Sequence, residues 1–358
     1  MAAEPTAKTN AWALFDRIVA DAAPGGSHSN PWVADGGGAA HYEPDFTTLM
    51  RLLGVPLHLG AESRTGVPAL ALDVWLSYEL RRAGFEPDAA WPRPTQPRVL
   101  PMPISNLLRD LPRKEREALV QRLTRRSAIP GVTSSSASIL GKNYLKQVDV
   151  IMTDWHSGPE LLISTKRMDS SYGKNAPNRV EESYGDAKNL RLRHPLAALG
   201  FVFGLRSDIL DKEPDTAAWL IDLLGKLGRE DDAYHATCLV MIEYADAVAV
   251  PERGEVALDP SEDAAVAAGL APNPTDQDAG QILAESVLEG RLGVELALAQ
   301  LPAVTIRHDQ VPAHLAPPRF LATMVTRVLD ATPVNFHTEA RRRLKNPRSA
   351  TRDTAPGR

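Results

Sequence analysis

Residues 146–166 read KQVDVIMTDWHSGPELLISTK, and the fold turns on how this stretch is paired. Val148, Val150, Ile151 and Thr153 give the first third a strong β-branched bias, which reads as a strand over 146–153. Asp154-Trp155-His156-Ser157-Gly158-Pro159 is a turn cluster, in which Trp155 and His156 read as turn residues, and 160–166 follow as a second strand. Folding this hairpin about its centre, between His156 and Ser157, sets Asp149 opposite Ser164. Strand side chains alternate with a period of two, so Asp149, Ser164 and Lys166 are expected on one face.

Working outward, 178–194 has helical periodicity, 196–205 is an apolar run that reads as a third strand, 217–227 is a helix, and 237–244 (TCLVMIEY) is a fourth strand. Upstream, Leu70, Leu72, Val74, Trp75, Leu76 and Leu80 recur at helical spacing from Pro68 to Gly84, giving a helix that carries Asp73 and Glu79. The stretch 107–126 is basic and amphipathic. Residues 12–23 form a helical segment within Gly/Pro-rich surroundings, and 318–330 is a further helix. Strands alternating with helices place the chain in the α/β class.

Composition removes several function classes. The chain has 358 residues and one cysteine, Cys238, so no disulfide framework or Cys-rich zinc site is expected, which suits a reducing cytoplasm. The opening residues lack a basic segment followed by an apolar run, and no stretch is long and apolar enough to span a bilayer, so neither secretion nor membrane insertion is expected. Neither GxxxxGK[ST] nor GxGxxG occurs, no HExxH or paired CxxC is present, and Ser134-Ser135-Ser136 lacks a GxSxG setting. The formal net charge of −5 hides an asymmetry. Residues 98–146 hold ten Lys/Arg against three Asp/Glu, 208–300 hold five against twenty, and 301–358 hold ten against four. An acidic protein can thus present locally basic surfaces to a polyanion, although solvated faces would give the same count.

Asp149 at the head of one strand and Ser164-Thr165-Lys166 at the end of its partner resemble the core of the PD-(D/E)XK superfamily of restriction-endonuclease-like nucleases. The resemblance runs from about Val67 to Leu205 and implies a mixed central β-sheet flanked by α-helices. It implies Mg²⁺ held by carboxylates, with Lys166 serving the attacking water. Phosphodiester hydrolysis needs a hard cation to polarise the phosphate and acidify its bound water, and a nearby ammonium offsets developing negative charge. The chain departs from the family pattern at Ser164, where an acid is expected. One subset of type II restriction enzymes has serine there and draws its carboxylate from the following helix, and Glu181 and Glu182 lie 15 and 16 residues beyond Lys166. Helical phase puts Glu181 nearer the apolar edge formed by Val180, Tyr184 and Ala187. Glu181 could equally complete a capping box with Asn178 as N-cap, and Glu182 could be a solvated helix residue. By the same resemblance Glu79 is a further candidate metal ligand, its alternative being an exposed acid beside Arg81 and Arg82. Lys142, Lys146, Lys174, Asn175, Arg179, Arg191 and Arg193 are candidate DNA contacts.

The expected layout is an N-terminal arm or irregular subdomain (1–65), a nuclease core (66–250), an acidic flexible insertion (251–281), a C-terminal helical part (282–338) and a basic disordered tail (339–358). The expected function is a Mg²⁺-dependent DNA endonuclease of restriction or phage-defence type. It would act as a dimer or higher homo-oligomer, with partner proteins of a defence system as further candidates. The alternative is a catalytically decayed nuclease fold serving as a DNA-binding or assembly subunit.

Overall fold

Asp149 interrupts the strand on which it was expected to lie. In a computed structural model of the chain, which describes residues 7–34, 40–124, 137–229, 233–250 and 284–349, the segment expected as one strand over 146–153 is two. Leu145–Val148 (β5) pairs with Ala137–Leu140 (β4) in a separate two-stranded sheet, whereas Val150–Asp154 (β6) enters the central sheet. The hairpin partner, Gly158–Met168 (β7), is longer than expected and pairs antiparallel with β6. Its register, with Val150 opposite Ile163, continues to Asp149 beside Ser164 as the hairpin reading required.

Ala198–Arg206 (β8) and Ala236–Glu243 (β9) then add in parallel. With Ala90–Trp91 (β3) beyond β6 and Thr305–Ile306 (β10) beyond β9, the order is β10-β9-β8-β7-β6-β3, a mixed six-stranded sheet. Every residue of β8 is buried, and its ALGFVFGLR sequence has the continuous apolar character of a strand covered on both faces.

Two apolar layers cover the sheet. On one face Val150, Ile163 and Val202 pack with Ala7–Ala22 (α1), Phe46–His58 (α2), Val67–Ala83 (α3) and, later in the chain, Pro317–Ala331 (α10). On the other, Leu162, Phe201 and Phe203 pack with Tyr172–Arg191 (α6) and Pro214–Leu227 (α8). A Cβ at Gly200 would lie 2.7–2.9 Å from Phe320 and Met324, so the missing side chain is what lets α10 approach the sheet. α3 is buried almost all round. Pro68 supports its first turn and Gly84, at φ 102°, ends it.

Several expected boundaries shift. Residues 107–123 are not one helix: Met102–Asp110 (α4) and Arg113–Thr124 (α5) are separated at Pro112, and α5 has no buried residue. The N-terminal segment contributes Leu14, Phe15, Ile18, Leu49 and Leu52 to the main core, so it is no detached arm. The basic tail is also built in over its first part. Thr338–Lys345 (α11) buries Ala340 against Gly84, and Arg348–Ser349 (β11) pairs in parallel with Trp32–Ala34 (β1), which also pairs with His41–Tyr42 (β2). The remaining helices are Ile209–Lys212 (α7) and Ala284–Ala299 (α9). The acidic insertion expected over 251–281 and the tail beyond 349 lie outside the described residues. Among the described residues no helix is long and apolar enough to cross a membrane.

Candidate active site

β7 carries the site on both of its faces. Thr165 shares a face with Ile163, toward α3, and its hydroxyl donates to Asp73 Oδ1 at 2.5 Å. Ser164 and Lys166 point the other way, toward α6, where Lys166 Nζ lies 2.9 Å from Glu182 Oε1. Asp149 sits at the strand break between them, its Oδ2 accepting from the Thr165 amide at 2.8 Å. The expected single face for Asp149, Ser164 and Lys166 is therefore replaced by a site wrapped around the end of one strand. Alternation along β7 is the cause, since Thr165 and Lys166 must diverge.

α6 starts at Tyr172, six residues earlier than the periodicity indicated, and runs through Pro177. Asn178 is thus interior, and Glu181 cannot form a capping box with it. The choice between the two glutamates is decided by phase. Glu181 and Glu182 both lie at exposed positions, but Glu182 pairs with Lys166 and, like Asp186 one turn on, with Lys146 beside the strand break. Lys146 on β5 lies 2.7 Å from Asp186 and 3.6 Å from Glu182, and Arg179 lies 3.5 Å from Glu182. Asn189 fastens β5 to α6: its side chain accepts from Asn143 N at 2.8 Å and donates to Tyr144 O at 3.1 Å. A Cβ at Gly141 would fall within 2.5 Å of that amide, so glycine is required there.

The electrostatics set Glu182 apart from the other three carboxylates. Burial pushes Asp73 well above the ordinary carboxylate range, and the nearby Asp149 pushes it further. Burial also raises Asp149, opposed by the Thr165 amide, Lys166 and Lys146. Glu182 goes the other way: burial would raise it, but Lys166, Lys146 and Arg179 together hold it below its usual value. Asp186 is raised by burial against the pull of Lys146, whose own ammonium is stabilised by Asp186 and Glu182 despite burial. Ser164 is buried, and the Tyr234 hydroxyl donates to Ser183 O at 2.8 Å.

Asp73 and Asp186 are the two carboxylates near the strand break that the sequence reading passed over. Asp73 was visible on the right helix, but helical phase alone does not say which side of α3 meets β7. Glu79, the candidate ligand on α3, points instead toward Arg82, Tyr42 and Asp45. It is fully buried, ion-paired with Arg82 at 2.8 Å and hydrogen-bonded by Tyr42 and the Asp45 amide, which makes it a structural acid.

The candidate DNA contacts scatter. Lys146 and Arg179 belong to the site. Lys142, in the exposed β4–β5 turn, is anchored through its amide to Asn189 O. Lys174 and Asn175 lie in the first turn of α6, whereas Arg191 meets His235 at its far end, about 18 Å from Arg179 along the axis. Arg193 is exposed beyond that end.

Asp73, Asp149, Glu182 and Asp186 are hard oxygen donors of the kind Mg²⁺ selects. Among the described residues, no three His, Cys, Asp or Glu side chains are gathered closely enough to hold a metal ion. The best fit is the pair of Asp73 and Asp149, like charges linked through Thr165 whose repulsion a divalent cation would relieve. No family model matches the chain, and neither a curated protein nor a solved structure does.

Proposed function

We propose that the chain is a Mg²⁺-dependent DNA endonuclease of restriction or phage-defence type, with the strand break at Asp149 as its centre. The observation that carries the reading is the junction at Thr165, which ties Asp149 and Asp73 together while Lys166, the next residue, emerges on the opposite face. Asp73 and Asp149 would hold the cation. When bound, Mg²⁺ supplies Lewis acidity toward the phosphate and lowers the pKa of a coordinated water. Lys166 and Lys146 provide the positive charge that a pentavalent phosphorane-like centre requires, and Glu182 orients Lys166 by its ion pair. A homo-oligomer with two such sites would cut both strands, and a cytoplasmic location and defence-system partners belong to the same reading.

The spacing of the carboxylates favours a second reading. Glu182 and Asp186 are already neutralised by Lys146 and Lys166, as in a nuclease fold that has lost its metal and binds DNA without cutting it. Incubating supercoiled plasmid, unmodified or from the native host, with the full chain in Mg²⁺ or EDTA separates the two. Mg²⁺-dependent nicking that is lost in Asp149→Asn supports the nuclease, and retarded but intact plasmid in both buffers supports the second reading.

A further inference from the structure

One cavity lies outside the candidate active site, a helical turn further along α3 from Asp73, and is not used by that site. It has a volume of about 270 Å³ and sits between α1, α3 and the segment 87–98. That is just below the range of small-molecule pockets, roughly 300–1,000 Å³, so it suits one ring system. Trp12, Val19, Ala20 and Val74 make its apolar walls. Ser77 and Arg81 form the polar floor on α3, in line with Asp73 at four-residue intervals, so the floor begins about 6 Å along the helix from that carboxylate.

The polar groups of the cavity are incompletely satisfied. Arg98 is stacked on Trp12, with its guanidinium carbon 4.0 Å from the ring centroid, and donates to the carbonyls of Arg93 and Pro94 and to Asp16. Its Nε is buried without a hydrogen-bond partner, and so is His28 Nδ1. Burial and the neighbouring Arg81, Arg343 and Arg82 pull His28 down to about 4, so it is a neutral imidazole at neutral pH. Arg81 is fully buried and meets the carbonyls of Pro87, Ala90 and Pro92 and the Ser77 hydroxyl rather than a carboxylate. Apolar walls, a stacked Trp–guanidinium pair and an unmet imidazole nitrogen together describe a site for a planar heterocycle with polar groups on its rim. A net cation beneath it suits a ligand that carries phosphate.

We propose that this cavity binds a nucleobase, stacked against the Trp12–Arg98 pair and hydrogen-bonded at its edge by His28 Nδ1. The base could come from a free nucleotide or from a DNA strand that extrudes it toward the cavity. Only the second source rests on the nuclease reading.

Two assays on the full chain separate the sources. Calorimetric titration with dAMP, dGMP, dCMP and dTMP, and with deoxyribose 5-phosphate as a base-free control, tests the free nucleotide. Short duplexes carrying 2-aminopurine test extrusion by a rise in emission, with binding measured independently by anisotropy. Ala20→Trp fills the cavity from an exposed position, and Trp12→Leu removes the stacking face; melting temperatures confirm that both variants fold. Base-dependent nucleotide binding that weakens at least about tenfold in both variants supports the site with the free source. An emission rise lost in both variants, with duplex affinity retained, supports it with the extruded source. Nucleotide binding without any DNA binding keeps the cavity assignment and overturns the nuclease reading. Equal binding of the base-free control, or no response in either assay, overturns the proposal.

Discussion

Thr165 Oγ1 lies 2.5 Å from Asp73 Oδ1, joining the end of β7 to the middle of α3 across 92 residues of sequence. The amide of the same threonine holds Asp149. One residue therefore positions two carboxylates from different parts of the chain, while its side chain and its amide do separate work.

Thr165→Val keeps the shape and the amide but removes the hydroxyl. Loss of a hydrogen bond to a carboxylate should destabilise the protein by about 1.5–3 kcal/mol in urea titrations. On the nuclease reading proposed above, cleavage should fall roughly 10- to 100-fold, the usual effect of removing a group that orients a metal ligand, and should recover partly at high Mg²⁺. Unchanged cleavage at limiting Mg²⁺ would detach Asp73 from the site.

Asp73 and Glu79, six residues apart on one helix, should behave oppositely. Asp73→Asn is expected to abolish plasmid nicking while leaving stability unchanged or raised, since burial already disfavours its charge. Arg82→Ala leaves the buried Glu79 carboxyl without its counter-ion, and is expected to lower stability by about 3–5 kcal/mol.

Glu182→Gln should disturb the site, and Glu181→Gln should not. Loss of the Glu182 carboxylate frees Lys166 and Lys146 from their shared partner, so duplex affinity should rise and its salt dependence steepen. Anisotropy titrations at several salt concentrations measure this. Identical slopes for the two variants would remove Glu182 from the cluster.

Stability should decline on mild acidification because of His235. Its Nδ1 accepts from the Leu199 amide at 2.9 Å, and burial with Arg191 beside it lowers its pKa to about 4. The unfolded chain, with a histidine pKa near 6.5, binds the extra proton first. Stability is therefore full above about pH 6.5 and is lost as pH falls toward 4. His235→Gln should flatten that part of the melting-temperature profile, and His28 contributes in the same direction.

The first part of the C-terminal basic segment should prove structural. Ala340→Leu drives a side chain toward the Gly84 turn and is expected to lower stability by about 1–3 kcal/mol. Removing 338–358 also strips the donors that Arg341 gives to the Leu329 and Thr332 carbonyls and that Arg343 gives to the Arg82 and His28 carbonyls. Denaturation midpoints of the two forms measure both effects; no change would return the segment to the solvent.

Period and punctuation were enough to read the β6–β7 hairpin, the strands β8 and β9 though not their parallel pairing, and the helices α3, α8 and α10 from the sequence. These are local properties: β-branched runs, 3.6-residue spacing, Pro at a helix start and Gly at its end. The nearness of Asp149 to the Thr165–Lys166 end of β7 was legible for the same reason, because a hairpin register links residues close in the chain. Which acid joins them was not legible. Asp73 and Glu79 lie on one helix, and Glu181 and Glu182 are adjacent, so each choice is a rotation of a helix about its axis relative to the sheet. That rotation is decided by what the helix buries. Leu72 against Gly204 turns Asp73 toward Thr165, and Val180 and Ala187 in the second core layer turn Glu182 toward Lys166. The basic composition of 339–358 likewise indicated only solvation, whereas docking of Ala340 on Gly84 is a contact 256 residues long in sequence, and no local pattern encodes it.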